Sequence, residues 1–149
     1  IALSRQKLPY ITKNISEKNK CALGAYEVNI TSHSSKVTLV ASGSEVELAL
    51  ETQILLKENN IDSKVISMPC QELFDIQTEE YKKTILEPDA LVISIEAGSV
   101  SCWSKYLGDQ GISLGIDRFG ESAPYKEIYN HFNLTSNKIV NLIQKTLRK

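Results

Sequence analysis

The sequence has few cysteines, almost no net charge and no long apolar segment. Its 149 residues include three cysteines, Cys21, Cys70 and Cys102, which are too few and too scattered for a disulfide scaffold or a CxxC metal site. Seventeen basic residues nearly balance eighteen acidic ones, so the net charge of -1 provides no positive field for nucleic acid or an anionic membrane. No segment approaches the roughly 20 apolar residues of a membrane-spanning helix. These absences argue against disulfide-rich secreted, nucleic-acid-binding and membrane classes, and they favour a reducing, cytoplasmic compartment.

The composition is that of an ordinary globular protein, with 42% hydrophobic and 23% charged residues. The length suits one domain, or one domain with a tail from a neighbouring domain. Since the chain begins with Ile1 and its single methionine is Met68, we expect it to be a piece of a longer protein. The polar segment from Thr12 to Cys21 has the composition of a linker.

After Gly24 the sequence alternates between strand and helix patterns. Tyr26, Val28 and Ile30 alternate with polar residues and predict a strand at an edge of the sheet. Val37–Ala41 predicts a strand covered on both faces, because its β-branched and apolar residues run almost without interruption. Further strands are predicted at Ser63–Met68, which ends at Pro69, at Ala90–Ile95, the most apolar segment of the chain, and at Ile112–Ile116. The intervening segments predict helices. The fold class is therefore α/β, with a mostly parallel sheet, helices on both faces and one antiparallel edge strand.

The predicted helices have start signals and apolar faces. Ser44 and Glu47 fit an S-x-x-E capping box for the first helix, and Thr78 and Thr135 are N-cap candidates for two later ones. Pro124 lies at the start of a further helix. The faces predicted to pack inward are Val46, Ala49, Leu50 and Ile54 in the first helix, Tyr125, Ile128, Tyr129 and Phe132 after the proline, and Ile139, Leu142, Ile143 and Leu147 in the last helix.

Two loops carry candidate functional residues. Glu96 follows the strand Ala90–Ile95, at the carboxyl end where ligands bind in open α/β sheets. Its carboxylate is a candidate for catalysis, for partner binding or for capping the next helix, and no histidine or second carboxylate lies beside it in sequence. Asp117 and Arg118 lie in a loop rich in glycine and charge before Pro124. They suit either a functional loop or a structural interface loop held by hydrogen bonds.

The turn Ser42–Glu45 joins a strand to a helix N-terminus, a place where other α/β proteins bind phosphate. It lacks the G-x-G-x-x-G pattern, and Glu45 and Glu47 place negative charge where a phosphate would approach. A self-capped helix therefore explains the turn better. His33 lies in a serine-rich loop and His131 near a helix end, and no Ser–His or Cys–His pair has local support for nucleophilic catalysis. From the residues alone, the chain has a clear fold class and no convincing active site.

Six segments, in order along nearly the whole chain, resemble landmarks of the C-terminal domain of transketolase. They are LSRQKLP, GAYEV, VASGSEVELAL, VISMPCQELFD, SIEAGSVSCW and GIDRFGESAP. The long segments SMPCQELFD and GIDRFGESAP are the specific ones, and six landmarks in order make coincidence a poor explanation. The resemblance implies a three-layer Rossmann-like domain at residues 24–149, preceded by a linker at 10–23 and the end of a pyrimidine-binding domain at 1–9.

For the parent enzyme, the resemblance implies transfer of a two-carbon ketol unit from a ketose phosphate to an aldose phosphate in the pentose phosphate pathway. It also implies thiamine diphosphate and a divalent metal, magnesium or calcium, held in a homodimer by domains outside this chain. Since the chain has no GDG motif, we expect it to bind no cofactor and to be inactive alone. Arg5, in LSRQ, matches the family arginine that helps bind the sugar phosphate, a task that suits a planar guanidinium.

Two alternatives stay open beside this interpretation. One is a stand-alone α/β module that binds a small anion or a partner chain. The other is the same domain of a related thiamine diphosphate enzyme, such as deoxyxylulose phosphate synthase or the β-chain of pyruvate dehydrogenase, although GIDRFGESAP and ELFD fit transketolase better. Within the transketolase interpretation, the domain's own role is structural, interface-forming or regulatory.

Overall fold

Strands and helices alternate along the part of the chain that the computed structural model describes, residues 6–11, 19–28 and 35–148. The strands are β1 (Tyr26–Glu27), β2 (Val37–Ala41), β3 (Ser63–Ser67), β4 (Leu91–Ile95) and β5 (Ile112–Leu114). The helices are α1 (Glu45–Glu58), α2 (Gln71–Asp75), α3 (Glu79–Leu86), α4 (Tyr125–His131) and α5 (Ser136–Leu147), with short 3-10 helices at Lys20–Leu23 and Ser104–Tyr106. None of these helices combines the length and the apolar character needed to cross a bilayer.

The sheet has the strand order β1-β3-β2-β4-β5, and among the described strands β1 alone runs antiparallel to its neighbour. Val37 of β2 lies opposite Ser63 of β3 on one side and opposite Leu91 of β4 on the other. The chain passes from β2 to β3 on one side and then crosses over to β4, so the direction of the connections reverses at β2. The predicted α/β class with an antiparallel edge strand is confirmed.

Alternate residues of the central strands point into two apolar layers, one on each face of the sheet. One layer packs the sheet against α1 and α5, and its fully buried members include Leu39, Leu56, Ile93, Ile139 and Ile143. The other layer packs the sheet against α2, α3 and the 3-10 helix near Trp103, and it includes Val40, Ile66, Met68, Phe74 and Trp103. Helices therefore cover both faces, as the near-continuous apolar strands predict.

The predicted inner face of α1 is wrong in one part. Ile54 is 61% exposed, whereas Thr52 and Gln53 are buried. Both buried polar side chains have hydrogen-bond partners, because Thr52 donates to the Leu48 carbonyl at 2.8 Å and Gln53 donates to the Ser63 carbonyl at 2.8 Å. These bonds remove the penalty of burying polar groups, so the helix turns a more polar face inward than its apolar spacing indicates.

The prediction that the apolar face of α4 is buried is wrong. No residue of α4 is fully buried, and Tyr125 is 39% exposed. Tyr129 and Phe132 pack against the core only partly. In α5 the prediction holds for Ile139 and Ile143, which are fully buried, whereas Leu147 in the last turn is 42% exposed.

A buried ion pair joins β3 to the end of α3. Lys64 is 2% exposed, and its Nζ lies 2.9 Å from Glu87 Oε1 and donates to the Thr84 carbonyl at 2.8 Å. The other oxygen of Glu87 accepts from the Ser35 backbone N–H at 3.2 Å. Burial raises the pKa of the Glu27 carboxyl in β1, and the charge of Lys64 partly offsets this effect. The cluster therefore links β1, β3, α3 and the start of β2 around one buried cation.

Candidate functional site at the carboxyl edge of the sheet

The carboxyl ends of β2 and β4 lie side by side at the point where the strand connections reverse. In open α/β sheets this point forms the crevice in which ligands bind. Ser42 follows β2 and Glu96 follows β4, and the Ser42 hydroxyl donates to Glu96 Oε2 at 3.3 Å. The structure therefore places Glu96 at the reversal point, with a partner from the neighbouring strand.

The environment of Glu96 favours its protonated form. Burial is the main factor that raises the pKa of this carboxyl, and the negative charge of Glu45 raises it further. The hydrogen bond from Ser42 acts in the opposite direction. The Trp103 indole N–H also favours the charged carboxylate, although it forms no hydrogen bond of normal geometry. Glu96 therefore takes up a proton at a higher pH than an exposed glutamate does.

Glu45, the second carboxylate at this edge, is only 4% exposed. Its Oε1 accepts hydrogen bonds from the Ser44 hydroxyl at 2.7 Å and from the Tyr129 hydroxyl of α4. Burial raises the pKa of Tyr129 to about 12, and the hydrogen bond to Glu45 contributes in the same direction. The phenol therefore stays protonated as a donor, and it links α4 to the start of α1.

The predicted capping box between Ser44 and Glu47 is wrong. Ser44 occupies the N-cap position, but its backbone is helical there (φ -65°, ψ -29°) and its side chain makes no capping hydrogen bond. The backbone N–H groups of residues 45–47 instead donate to the carbonyls of residues 42–44 at 3.2 to 3.4 Å. The tightened first turn thus occupies the N–H groups that would otherwise donate hydrogen bonds to a side chain or a bound anion.

Asp117 fastens two neighbouring loops to each other. One loop follows β4 and the other follows β5. Asp117 Oδ1 accepts from the Ser99 hydroxyl at 2.9 Å and from the Val100 backbone N–H at 3.0 Å. The Ile116 backbone N–H donates to the Gly98 carbonyl at 2.7 Å. We call residues 97–101 and 115–120 together the paired loops, and these bonds fix their relative position.

Arg118 and Phe119 form the outer part of the paired loops. Arg118 Nη2 lies 2.7 Å from Glu121 Oε1, and its guanidinium lies 5.1 Å from the centre of the Phe132 ring. Phe119 is 96% exposed. Arg118 is a candidate from the sequence and Phe119 is not, although a large aromatic residue within a charged, glycine-rich loop is a usable signal for a contact surface.

This edge does not fit a diphosphate or a metal ion. Two carboxylates, Glu45 and Glu96, lie where a phosphate would approach, and the first-turn N–H groups of α1 already have acceptors. Within residues 6–11, 19–28 and 35–148, no three histidine, cysteine, aspartate or glutamate side chains group as a metal site. The arrangement can bind a proton on Glu96 and can present the paired loops to a partner.

Two candidates from the sequence, Arg5 and His33, fall outside the described residues. His131 ends α4, and its ring packs edge-on against Phe132 with centroids 4.9 Å apart. The bond between Glu45 and Tyr129 joins residues 84 positions apart. No local pattern indicates such a pair, so sequence reasoning misses it.

Comparisons with known proteins agree with this architecture. Residues 24–135 match the family model described as the transketolase-like C-terminal domain. The chain is 42% identical over 135 residues to the chromosomal transketolase of Cupriavidus necator, covering 91% of this chain and 20% of that protein. It is 40% identical to the transketolase of Bacillus subtilis over 153 residues, covering all of this chain and 23% of that protein.

A solved structure gives the same result. The transketolase of Pichia stipitis in complex with sedoheptulose 7-phosphate superposes with a TM-score of 0.85 at 33% sequence identity, covering 97% of this chain and 20% of that one. The chain thus spans about a fifth of the length of the relatives that it matches. Family model, relatives and fold all agree, and the chain belongs to the transketolase C-terminal domain family.

Proposed function

We propose that this chain is the C-terminal part of a transketolase that transfers a two-carbon ketol unit from a ketose phosphate to an aldose phosphate. The observation that carries the proposal is the match of nearly the whole chain, at about 40% identity, to one fifth of proteins named transketolase. The sugar phosphate in the Pichia stipitis complex supports the substrate class. A cytoplasmic homodimer in the pentose phosphate pathway is the setting that we propose for the parent protein.

Thiamine diphosphate and a divalent metal, magnesium or calcium, supply the carbanion chemistry of such a parent. The residues described here do not fit either group, because the carboxyl edge carries Glu45 and Glu96 and its helix N-terminus is already hydrogen-bonded. We therefore assign the cofactor and metal to the remaining domains of the parent and to its second subunit. No step of the reaction is assigned to residues 24–149.

The role that we propose for the domain is structural and interface-forming. Glu96 joins β4 to β2 through Ser42, and Asp117 fastens the paired loops, so both residues keep the carboxyl edge in one shape. Arg118 extends from that edge with its side chain 59% exposed. In this proposal residues 1–9 end the preceding pyrimidine-binding domain, residues 10–23 form a linker and residues 24–149 form the domain itself.

The first experiment compares the isolated chain with the full-length parent. With thiamine diphosphate, magnesium, a ketose phosphate donor and an aldose phosphate acceptor, the parent should produce the exchanged sugars. The isolated chain should show no turnover and no saturable heat when titrated with thiamine diphosphate and magnesium. A folded parent without ketol transfer would contradict the proposed reaction, and micromolar cofactor binding by the isolated chain would contradict the domain assignment.

Arg5 is the residue that we propose for sugar phosphate binding in the parent. In the full-length enzyme, Arg5→Ala should raise KM for phosphorylated sugars more than it lowers kcat, because the contact is uniform through the reaction. Loss of a charge-assisted hydrogen bond should reduce kcat/KM by roughly 10- to 150-fold. A non-phosphorylated donor is the control, since it offers the guanidinium no phosphate. Equal losses with both donors would mean that Arg5 supports the fold or the cofactor instead.

A further inference from the structure

We propose that Phe119 is the anchor by which this domain docks on the domain that precedes it in the parent chain. The proposal rests on the proposed function, since it requires a transketolase-sized parent. It assigns a partner to the paired loops and predicts what that partner presents, an apolar socket that encloses one phenyl ring.

Phe119 is 96% exposed, more than any other large apolar residue in the described part of the chain. Burial of aromatic surface is among the largest favourable contributions to an interface, and aromatic side chains dominate the binding energy of interface centres. A ring that projects from a charged loop therefore suits contact with another protein surface.

The loop beneath Phe119 is fixed by contacts on both sides. Asp117 binds the opposite loop through Ser99 and Val100. A methyl group added at Gly115 would lie 2.4 Å from Val100 Cγ1, so the two loops touch closely there. On the other side, Arg118 is held by Glu121 at 2.7 Å. Because the support is already ordered, docking loses little conformational freedom.

The surface beside the Phe119 ring is concave. The paired loops enclose an open hollow of about 830 Å³, lined by residues 97–99 on one side and 116–120 on the other. Phe119 stands at its border. A projecting ring next to a hollow is the geometry by which two surfaces interlock, with the hollow receiving a side chain from the partner.

The position of the preceding chain identifies the docking partner. Gln6 lines a second hollow together with Ser44 and Tyr129, which places the preceding chain at the carboxyl edge of the sheet. Phe119 follows β5, whose carboxyl end lies on that same edge because β5 runs parallel to β4. About four fifths of the relatives' length lies outside this chain. The preceding domain therefore arrives on the side that carries Phe119, which favours it over a second copy of this domain.

Hydrogen exchange tests the docking with the protein as it exists. Backbone amides of residues 97–101 and 116–118 are followed in the full-length parent and in the isolated chain. We expect them to exchange at least about 30-fold more slowly in the parent, and Phe119→Ala to remove most of that protection. Ile54→Ala is the matched control, because Ile54 is also exposed, at 61%, and lies on α1 away from the paired loops. It should leave the rates unchanged.

A photo-crosslinker at position 119 identifies the partner. Phe119→p-benzoylphenylalanine in the parent should give crosslinked peptides that map upstream of residue 24, whereas the same replacement of Ile54 should give none there. Crosslinks to residues 24–149 of a second copy would overturn the proposed occupant. Equal exchange rates in parent and isolated chain would overturn the docking itself. A parent that lacks ketol transfer and still protects the paired loops would contradict the proposed function and leave the docking intact.

Discussion

The buried Lys64–Glu87 pair allows a quantitative test of what holds this domain together. Glu87→Gln preserves the shape of the side chain and removes its charge, which leaves the Lys64 cation with the Thr84 carbonyl and the more distant Glu27 carboxylate. Removal of one partner from a buried pair typically destabilises a protein by about 3–5 kcal/mol. Because Glu87 is 26% exposed and Glu27 gives partial compensation, we expect a loss of about 2–4 kcal/mol.

Urea unfolding of the isolated chain, followed by the fluorescence of the buried Trp103, measures this loss. Glu79→Gln is the control, because its partner Lys82 lies at a similar distance, 2.8 Å, while Glu79 itself is 78% exposed. That change should cost far less stability than Glu87→Gln, because water screens the exposed pair.

A double variant separates the loss of the pair from the effect of an isolated buried charge. Lys64→Met combined with Glu87→Gln should recover most of the lost stability, since an apolar replacement of a buried pair is often neutral. The reasoning is refuted if Glu87→Gln costs no more than Glu79→Gln.

Three further variants test the carboxyl edge, each by the same unfolding assay. Since folding raises the pKa of Glu96 above its ordinary value of 4.5, wild-type stability gains a contribution as pH falls from neutrality towards 4.5. The free energy of unfolding of Glu96→Gln should therefore exceed that of wild type most near neutral pH, and the two values should approach each other near pH 4.5. A difference that does not change with pH would contradict a raised pKa of Glu96. Gly115→Ala should cost at least about 1–3 kcal/mol because its methyl group meets Val100, and an unchanged stability would mean that the paired loops separate easily. Tyr129→Phe leaves the buried Glu45 without one donor and should cost about 1.5–3 kcal/mol, whereas no loss would exclude this bond as the link that holds α4.

The sheet was predictable because the pattern that indicates each strand lies within the strand itself. All three central strands are buried along their whole length, and β2 and β4 are nearly continuous apolar runs, a property that depends little on the rest of the chain. The inner face of α1 was not predictable, because apolar residues occur around most of that helix. The choice between Ile54 and the polar pair Thr52 and Gln53 depends on a carbonyl that Ser63 of β3 supplies. The five residues of α2, Gln71–Asp75, are too few for a periodic pattern.

The candidate site was predictable only in its parts. The position of Glu96 after a strand, and of Asp117 in a polar loop, follows from the sequence. Their partners depend on which strands are neighbours, since Ser42 reaches Glu96 through the pairing of β2 with β4. The prediction of a capping box at Ser44 failed for a local reason. The turn is tightened, and the Ser44 hydroxyl donates to the Glu45 carboxylate instead of accepting from a backbone N–H.

The lengths of the strands bear on how this domain behaves when it is separated from a larger protein. The three central strands have five residues each, whereas β1 at one edge has two and β5 at the other has three. Unpaired backbone groups along an edge strand serve as a template for a second sheet, and short edges limit that template. Within residues 6–11, 19–28 and 35–148, the two edge strands therefore offer little length for edge-to-edge aggregation.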